Sequence, residues 1–544
     1  MRTQLKRFTS SRLIDPTLNK PTWSTAVTDE LGTTSRIKGE QAREERASPQ
    51  TLMSLASQVA KDAKIIVVSN REPVVHELTD HGIEAIRPAS GLVTGLEPIV
   101  KAVHGTWVAH GSGSADRQVV DRNDRVGIPR EHPEYILRRV WLTRREEAGY
   151  YYGLSNNALW PLCHIAYTRP VFSRSDWDQY KAVNEKFCSA ILEEVGQERA
   201  VIFIQDYHLA LLPRLLKNNR PDLTVVQFWH IPWPNREAFR IFPWGEELLD
   251  GLLGNDILGF HVQYHCNNFL DTVDRGIEAK VDYEHFRVFR GGHPTIVRPF
   301  PISIDQAQIG RDAQQPAVAV RLGQLRTQFT QAPDEQQFIV GVDRIDYTKG
   351  ILERLRGFDT LLKDHPELKG RVTFLNFSAP SRTHVEAYRE LDDKIDELVD
   401  EVNWRHQTEQ WVPVQFLRSH HDYVTVLAAY QLADVLMVTS LHDGMNLVAK
   451  EFVAARGDES GVLVLSTYTG AARELEDAVL VNPYDTDLLA EQMYAALTMP
   501  QSDRQRRMRH LREAIAKNDI YRWGERIFQE ILHIHKGVPN EAAV

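Results

Sequence analysis

At 544 residues, 42% hydrophobic and 25% charged, the chain is too long for one ordinary core and too apolar for wholesale disorder, so two or three packed domains are expected. A net charge of -10 with pI near 6.1 argues against binding nucleic acid by bulk electrostatics, while leaving room for a local basic pocket. The three cysteines, Cys163, Cys188 and Cys266, form no CxxC pair and suggest neither a disulfide framework nor a zinc site.

Residues 1–60 are rich in Ser, Thr, Arg, Lys and Glu and read as a flexible N-terminal extension or loosely docked arm. Arg2, Lys6, Arg7 and Arg12 give a faint transit-peptide texture, which Asp15 and the acidic residues from Asp29 onward oppose. No signal-peptide core is evident, and no apolar run approaches the roughly 20 residues that span a bilayer. A cytoplasmic protein without a membrane partner is expected.

From Lys64 the texture changes. Ile65–Val68, Val201–Ile204, Val225–Phe228 and Ile257–Phe260 are short continuous apolar runs, the pattern of buried parallel strands. The pattern restarts with Phe338–Val342, Val372–Phe377, Val414–Leu417, Val435–Val438 and Val462–Leu465. Helical spacing is expected over Trp177–Glu194, Ile351–Leu362 and Tyr423–Leu432. Alternating βα units in two blocks predict an α/β protein with two Rossmann-like doubly wound domains facing a central cleft, at 61–305 and 306–515. The join is expected near Arg298–Gln315, and a helix within 516–544 is expected to pack back on the first domain.

The polar clusters fall just after strand ends, where open α/β sheets place ligands. The run Asp434–Ser440 leads through Asp443 and Gly444 into a helix start at Asn446, with Glu451 further on. This stretch reads either as a sugar-nucleotide clamp or as a capped helix with a solvated acid. Gly341–Gly350 carries Arg344 and Lys349, two cations suited to a diphosphate, unless Arg344 simply pairs with Asp343 or Asp346. Asp206 and His230 end neighbouring strands. Arg71, Trp107, Tyr151, Trp160 and Arg382 make an acceptor-like set, arginines for phosphate and aromatic faces for a sugar ring. Gly91, ahead of a helical run, offers amides to a phosphate or sugar. His261 and His265 lack a third ligand, so no metal site is expected, and Gly111-Ser112-Gly113-Ser114 is too weak for a dinucleotide fingerprint.

Ser69-Asn70-Arg71-Glu72, Ser155 to Pro161, Asp206-Tyr207-His208-Leu209, His230-Ile231-Pro232, Val342 to Gly350 and Asp443 to Glu451 together resemble the trehalose-6-phosphate synthases, retaining glycosyltransferases of the GT-B fold. Asn482 to Asp485 and Lys517 to Asp519 extend a similarity that covers roughly 64–535. The resemblance implies glucosyl transfer from a nucleoside-diphosphate glucose, UDP-glucose first among the candidates, to glucose 6-phosphate. It implies that Arg344 and Lys349 hold the diphosphate with the amides of Leu447 and Val448. It also implies that Glu451 binds the ribose, and that Asp443, Met445 and Asn446 hold the donor glucose. Asp206 and His230 would stand near the reacting centre, Gly91 over the phosphates, and Arg71, Trp107, Tyr151, Trp160 and Arg382 around glucose 6-phosphate. No cofactor or metal is implied; the expected partners are these small molecules, a separate trehalose-6-phosphate phosphatase and a second copy in a homo-oligomer. Three departures stand out: His442 where the family usually has arginine, Trp229 and Trp233 around the His-Ile-Pro motif, and Ser90-Gly91 in place of a double glycine. Other phosphorylated acceptors (glycerol 3-phosphate or a cyclitol phosphate) and a non-catalytic sugar-phosphate binder remain alternatives. A nicotinamide dehydrogenase lacks its fingerprint.

Overall fold

The computed structural model describes residues 47–87, 91–331 and 336–536. Its strands in chain order are β1 (Lys64–Arg71), β2 (Val75–Thr79), β3 (Gly82–Ile86), β4 (Thr106–His110), β5 (Arg125–Ile128), β6 (Tyr135–Val140), β7 (Ala200–Gln205), β8 (Thr224–Phe228) and β9 (Ile257–Phe260). They continue with β10 (Lys280–Asp282), β11 (Arg287–Arg290), β12 (His293–Pro299), β13 (Gln337–Arg344), β14 (Val372–Ala379), β15 (Val414–Arg418), β16 (Val435–Val438), β17 (Val462–Ser466) and β18 (Val479–Val481).

Two large sheets result, as the two blocks of apolar runs require, beside a small antiparallel pair, β2 with β3. The first has the order β10-β11-β12-β9-β8-β7-β1-β4-β6-β5, parallel from β12 through β6 and antiparallel at both edges. The second, β15-β14-β13-β16-β17-β18, is parallel throughout. In each sheet the chain reverses direction across the sheet beside its first strand, between β1 and β7 and between β13 and β16. A crevice opens at the carboxyl ends of strands at such switch points. Arg71 and Asp206 stand at the first, Arg344 and Asp443 at the second. This is the two-domain α/β architecture that the sequence predicts.

The last helix, Ile520–Lys536, packs back on the first sheet. Trp523 lies edge-on to Phe228 at 5.3 Å, and the Ile520 amide donates to the Ile304 carbonyl at 3.1 Å. It also packs against the helix Pro49–Ala60, which Ser48 caps and which buries Leu52, Ala56 and Val59. Residues 49–60 are thus part of the packed body, although their composition suggested an arm; one apolar stripe on a short helix is easily lost among polar neighbours. The residues before 47 lie outside the described ones. Among the described residues no helix is long and apolar enough to cross a membrane.

Candidate active site

At the second switch point, β13 ends at Arg344 and turns through Asp346, whose side chain accepts from the Thr348 amide and hydroxyl at 3.0 and 2.9 Å. Gly350, at φ 63°, closes the turn in a left-handed conformation directly against the Thr439 carbonyl, where a β-carbon would collide. That contact sets Lys349 beside the loop after β16. Its ammonium donates to Asp443 Oδ2 at 2.6 Å, and Ser440 and Asn446 donate to the same oxygen at 3.2 Å. Burial alone would raise this carboxyl, but Lys349 and its hydrogen bonds hold Asp443 well below the usual carboxylate range, so it is an anion.

Asn446 then caps the helix Leu447–Ala455 by accepting from the Ala449 amide at 3.1 Å. A cap of this kind occupies one first-turn amide. The amides of Leu447 and Val448 have no carbonyl a turn before them and stay available to an anion. Met445 is buried beneath, with its carbonyl accepting from Ala471 at 2.9 Å. Glu451, raised by burial, accepts from the Tyr430 hydroxyl at 2.9 Å, so it is not the solvated acid of the alternative reading.

Arg344 pairs with neither neighbouring aspartate. Asp343 is taken by Arg354, and Asp346 by Arg382 at 3.4 Å and Tyr388 at 3.1 Å. Arg344 instead stands over the Trp160 ring at 5.8 Å, and Arg382 covers the same ring at 4.1 Å. Arg382 offsets the cost of its burial by donating to the Tyr388 hydroxyl and by pairing with the carboxylate of Asp346, which keep it charged.

Trp160 follows a π-helical stretch, Ala148–Leu159, that carries Tyr151. Wide turns of this sort recur at functional sites. The segment can lie hard against the helix Arg174–Val195 because Gly149 and Gly153 leave no β-carbon between it and Gln179 and Asp176. The Tyr151 phenol is lowered despite its burial, because the cations of Arg71, Arg382 and Arg344 stand close by. Three guanidinium groups from both sheets therefore converge on one hydroxyl.

Trp107 does not join them. It is the second residue of β4, pairs with Val67 in mid-sheet, is fully buried in the core, and donates its indole N–H to Ser69 at 2.8 Å. The sequence reading placed it at a strand end; the strand actually runs on to His110, which is the register partner of Arg71. Gly91 opens the helix Gly91–Ala102, immediately after residues that are not described.

At the first switch point Asp206 has φ 70°, a left-handed conformation rare for a non-glycine residue. Its Oδ1 accepts from the amides of Tyr207 at 2.9 Å and His230 at 3.2 Å. Burial pushes Asp206 up to about 7, against the pull of those amides and of Arg382 and Arg344. His230 is held down to about 3 by burial and by His208, and is neutral; its Nε2 lies 3.0 Å from Gln205 Oε1. A carboxyl raised in the folded state favours folding fully below its unfolded value and loses that contribution as pH rises through about 7. Asp206→Asn retains Oδ1 and cannot ionise. Its stability relative to the wild type is therefore expected to improve between pH 4 and pH 8 in parallel denaturation curves; a pH-independent difference would rule out the raised carboxyl.

Residues 63–533 match the model of Glycosyltransferase family 20. The chain belongs to this family. The trehalose-6-phosphate synthase of Mycobacterium avium (strain 104) is 37% identical over 470 residues, 85% of this chain and 94% of that protein. An E. coli protein solved with UDP-2-fluoro glucose bound superposes with a TM-score of 0.77 at 30% identity, covering 86% of this chain and 99% of its own. The UDP-forming α,α-trehalose-phosphate synthase of Burkholderia xenovorans, solved with glucose 6-phosphate, gives 0.76 at 29% identity, covering 86% and 100%. Within this glycosyltransferase the two unusual tryptophans are core residues. Trp229 and Trp233 are fully buried with ring centroids 5.1 Å apart, behind the His230 loop.

Gln205 and Tyr388, which orient His230 and the Asp346–Arg382 pair, escaped the sequence reading. Gln205 directly precedes Asp206 at the strand end and is the one that position offered as a signal. Among the described residues no group of three or more His, Cys, Asp or Glu side chains is placed to hold a metal ion.

Proposed function

We infer that this chain transfers glucose, with retention, from UDP-glucose to glucose 6-phosphate and forms α,α-trehalose 6-phosphate. The observation that carries the reading is the meeting of Arg71, Arg344 and Arg382 on Tyr151 and Trp160, across from the Lys349–Asp443 pair and the first amides of Leu447–Ala455. Two anion-binding groups lie at the carboxyl ends of the strands of the two sheets, one suited to a diphosphate and one to a sugar phosphate.

On this proposal Arg344, Lys349 and the amides of Leu447 and Val448 hold the diphosphate. Glu451 takes the ribose, and Asp443, with Met445 and Asn446, holds the donor glucose. Gly91 lies over the phosphates. Arg71, Tyr151, Trp160 and Arg382 hold the acceptor, with Asp206 and neutral His230 beside the reacting carbon. The bond from glucose C1 to the phosphate oxygen breaks as that from C1 to the acceptor hydroxyl forms on the same face. The acceptor proton passes to the departing phosphate, so no protein base is consumed. Preorganised cations where charge develops provide the largest catalytic contribution, and the proposal assigns neutralisation to them rather than to a metal. The uridine base follows relatives described as UDP-forming. We further propose an acceptor domain over 61–305, a donor domain over 306–515, and removal of the product's phosphate by a separate phosphatase.

The test is a matrix of nucleoside-diphosphate glucoses against phosphorylated acceptors, with products identified by NMR. An α,α-1,1 linkage formed with UDP-glucose and glucose 6-phosphate is expected. Turnover confined to glycerol 3-phosphate or a cyclitol phosphate would overturn the acceptor assignment.

A further inference from the structure

His442 is used by none of the roles above, yet it touches both halves of the cleft. It directly precedes Asp443, and its Nδ1 lies 2.7 Å from the backbone carbonyl of His164. A carbonyl only accepts, so Nδ1 carries the proton and donates. His164 ends the short helix Trp160–His164, and Ile165 follows it at φ 50°, which turns the chain away and leaves that carbonyl facing out. The His164 ring lies against Trp160, with centroids 4.0 Å apart, and its Nδ1 donates to the Trp160 carbonyl at 2.8 Å. One chain of contacts therefore runs from Asp443 through His442 and His164 to Trp160, the ring under Arg344 and Arg382. Close by, Gly444 abuts the His230 carbonyl so tightly that a β-carbon would collide, so the loop is seated against the first sheet by two neighbouring residues.

We propose that His442 is a positioning residue that couples the two substrate sites: a donor diphosphate that fixes Lys349, and through its ion pair Asp443, also fixes Trp160, and so tightens the acceptor site. The proposal rests on the functional reading above. Coupling between sites is reciprocal and is measured as the factor by which one ligand changes the affinity of the other.

The experiment is calorimetry of the full chain with glucose 6-phosphate, with and without saturating UDP, for the wild type, His442→Ala and His442→Gln. In the wild type UDP is expected to tighten glucose 6-phosphate by about fivefold or more, the lower end of ordinary coupling. His442→Ala is expected to lose most of that factor, while UDP alone and glucose 6-phosphate alone bind within about twofold of wild type. His442→Gln, which keeps a donor, is expected to retain it. If His442→Ala does not fold, His442→Leu, with bulk but no donor, takes its place. A folded donor-less variant with the full factor, or a wild type with none, overturns the proposal. If UDP and glucose 6-phosphate each fail to bind the wild type, the functional reading itself falls, an outcome distinct from lost coupling.

Discussion

Arg344→Ala is expected to lower kcat at least a hundredfold while leaving the protein folded. The guanidinium has no carboxylate partner among the described residues, since Asp343 and Asp346 are satisfied by Arg354, Arg382 and Tyr388. Its removal therefore strands no buried anion and costs the fold little. On the proposed mechanism, what is lost is a fixed positive charge at the end of β13, where the leaving diphosphate would gather charge. Removing one such preorganised donor costs about 2–4 kcal/mol in the barrier, or roughly two to three powers of ten. The same variant should bind UDP only modestly less well, because the loss falls mainly on the transition state. Steady-state kinetics beside a melting curve check this. A folded variant with near-normal kcat would remove Arg344 from the mechanism.

Much of this site was legible because parallel strands advertise themselves. Val435–Val438 and Tyr423–Leu432 match their elements to the residue, and the polar residue after each apolar run is, by topology, at the cleft. Arg344, Lys349, Asp443 and Asp206 were found that way. The same rule misplaced Trp107, because an aromatic residue within a short strand looks like one at its end until the register with β1 is known. The edge strand β10 and its neighbour β11 were missed because this antiparallel end of the sheet is only partly buried and keeps polar residues such as Lys280 and Arg287. Strand β6 was hidden by Arg138 and Arg139, whose charges read as surface yet are buried at 7% and 0% exposure. Gln205 had only its place before Asp206 as a signal, and no local pattern announces Tyr388, whose partner Asp346 lies on another loop.

Arg139 leads to the second large effect. Its guanidinium is wholly buried beneath the loops that follow β1 and β4. It meets Glu72 at 2.9 Å, Asp116 at 2.7 Å and His76 Nδ1 at 2.9 Å, and donates to the carbonyls of Asp116 and Val74. Burial pushes Glu72 up, so it is the protonated partner. Asp116 is held down despite its burial by its hydrogen bonds with Glu72 and with the backbone amides of His76 and Gly113. One cation and one anion remain, a neutral cluster that also fixes the Ser112 and Gly113 amides. Arg139→Leu leaves Asp116 buried without its cation, and breaking such a pair costs about 3–5 kcal/mol. That loss is read from urea unfolding at pH 8, and a value below about 1 kcal/mol would show that the cluster does not behave as a buried ion network. Glu72 directly follows Arg71, so the same variant should also weaken glucose 6-phosphate binding, linking a stability element of the first sheet to the acceptor site it frames.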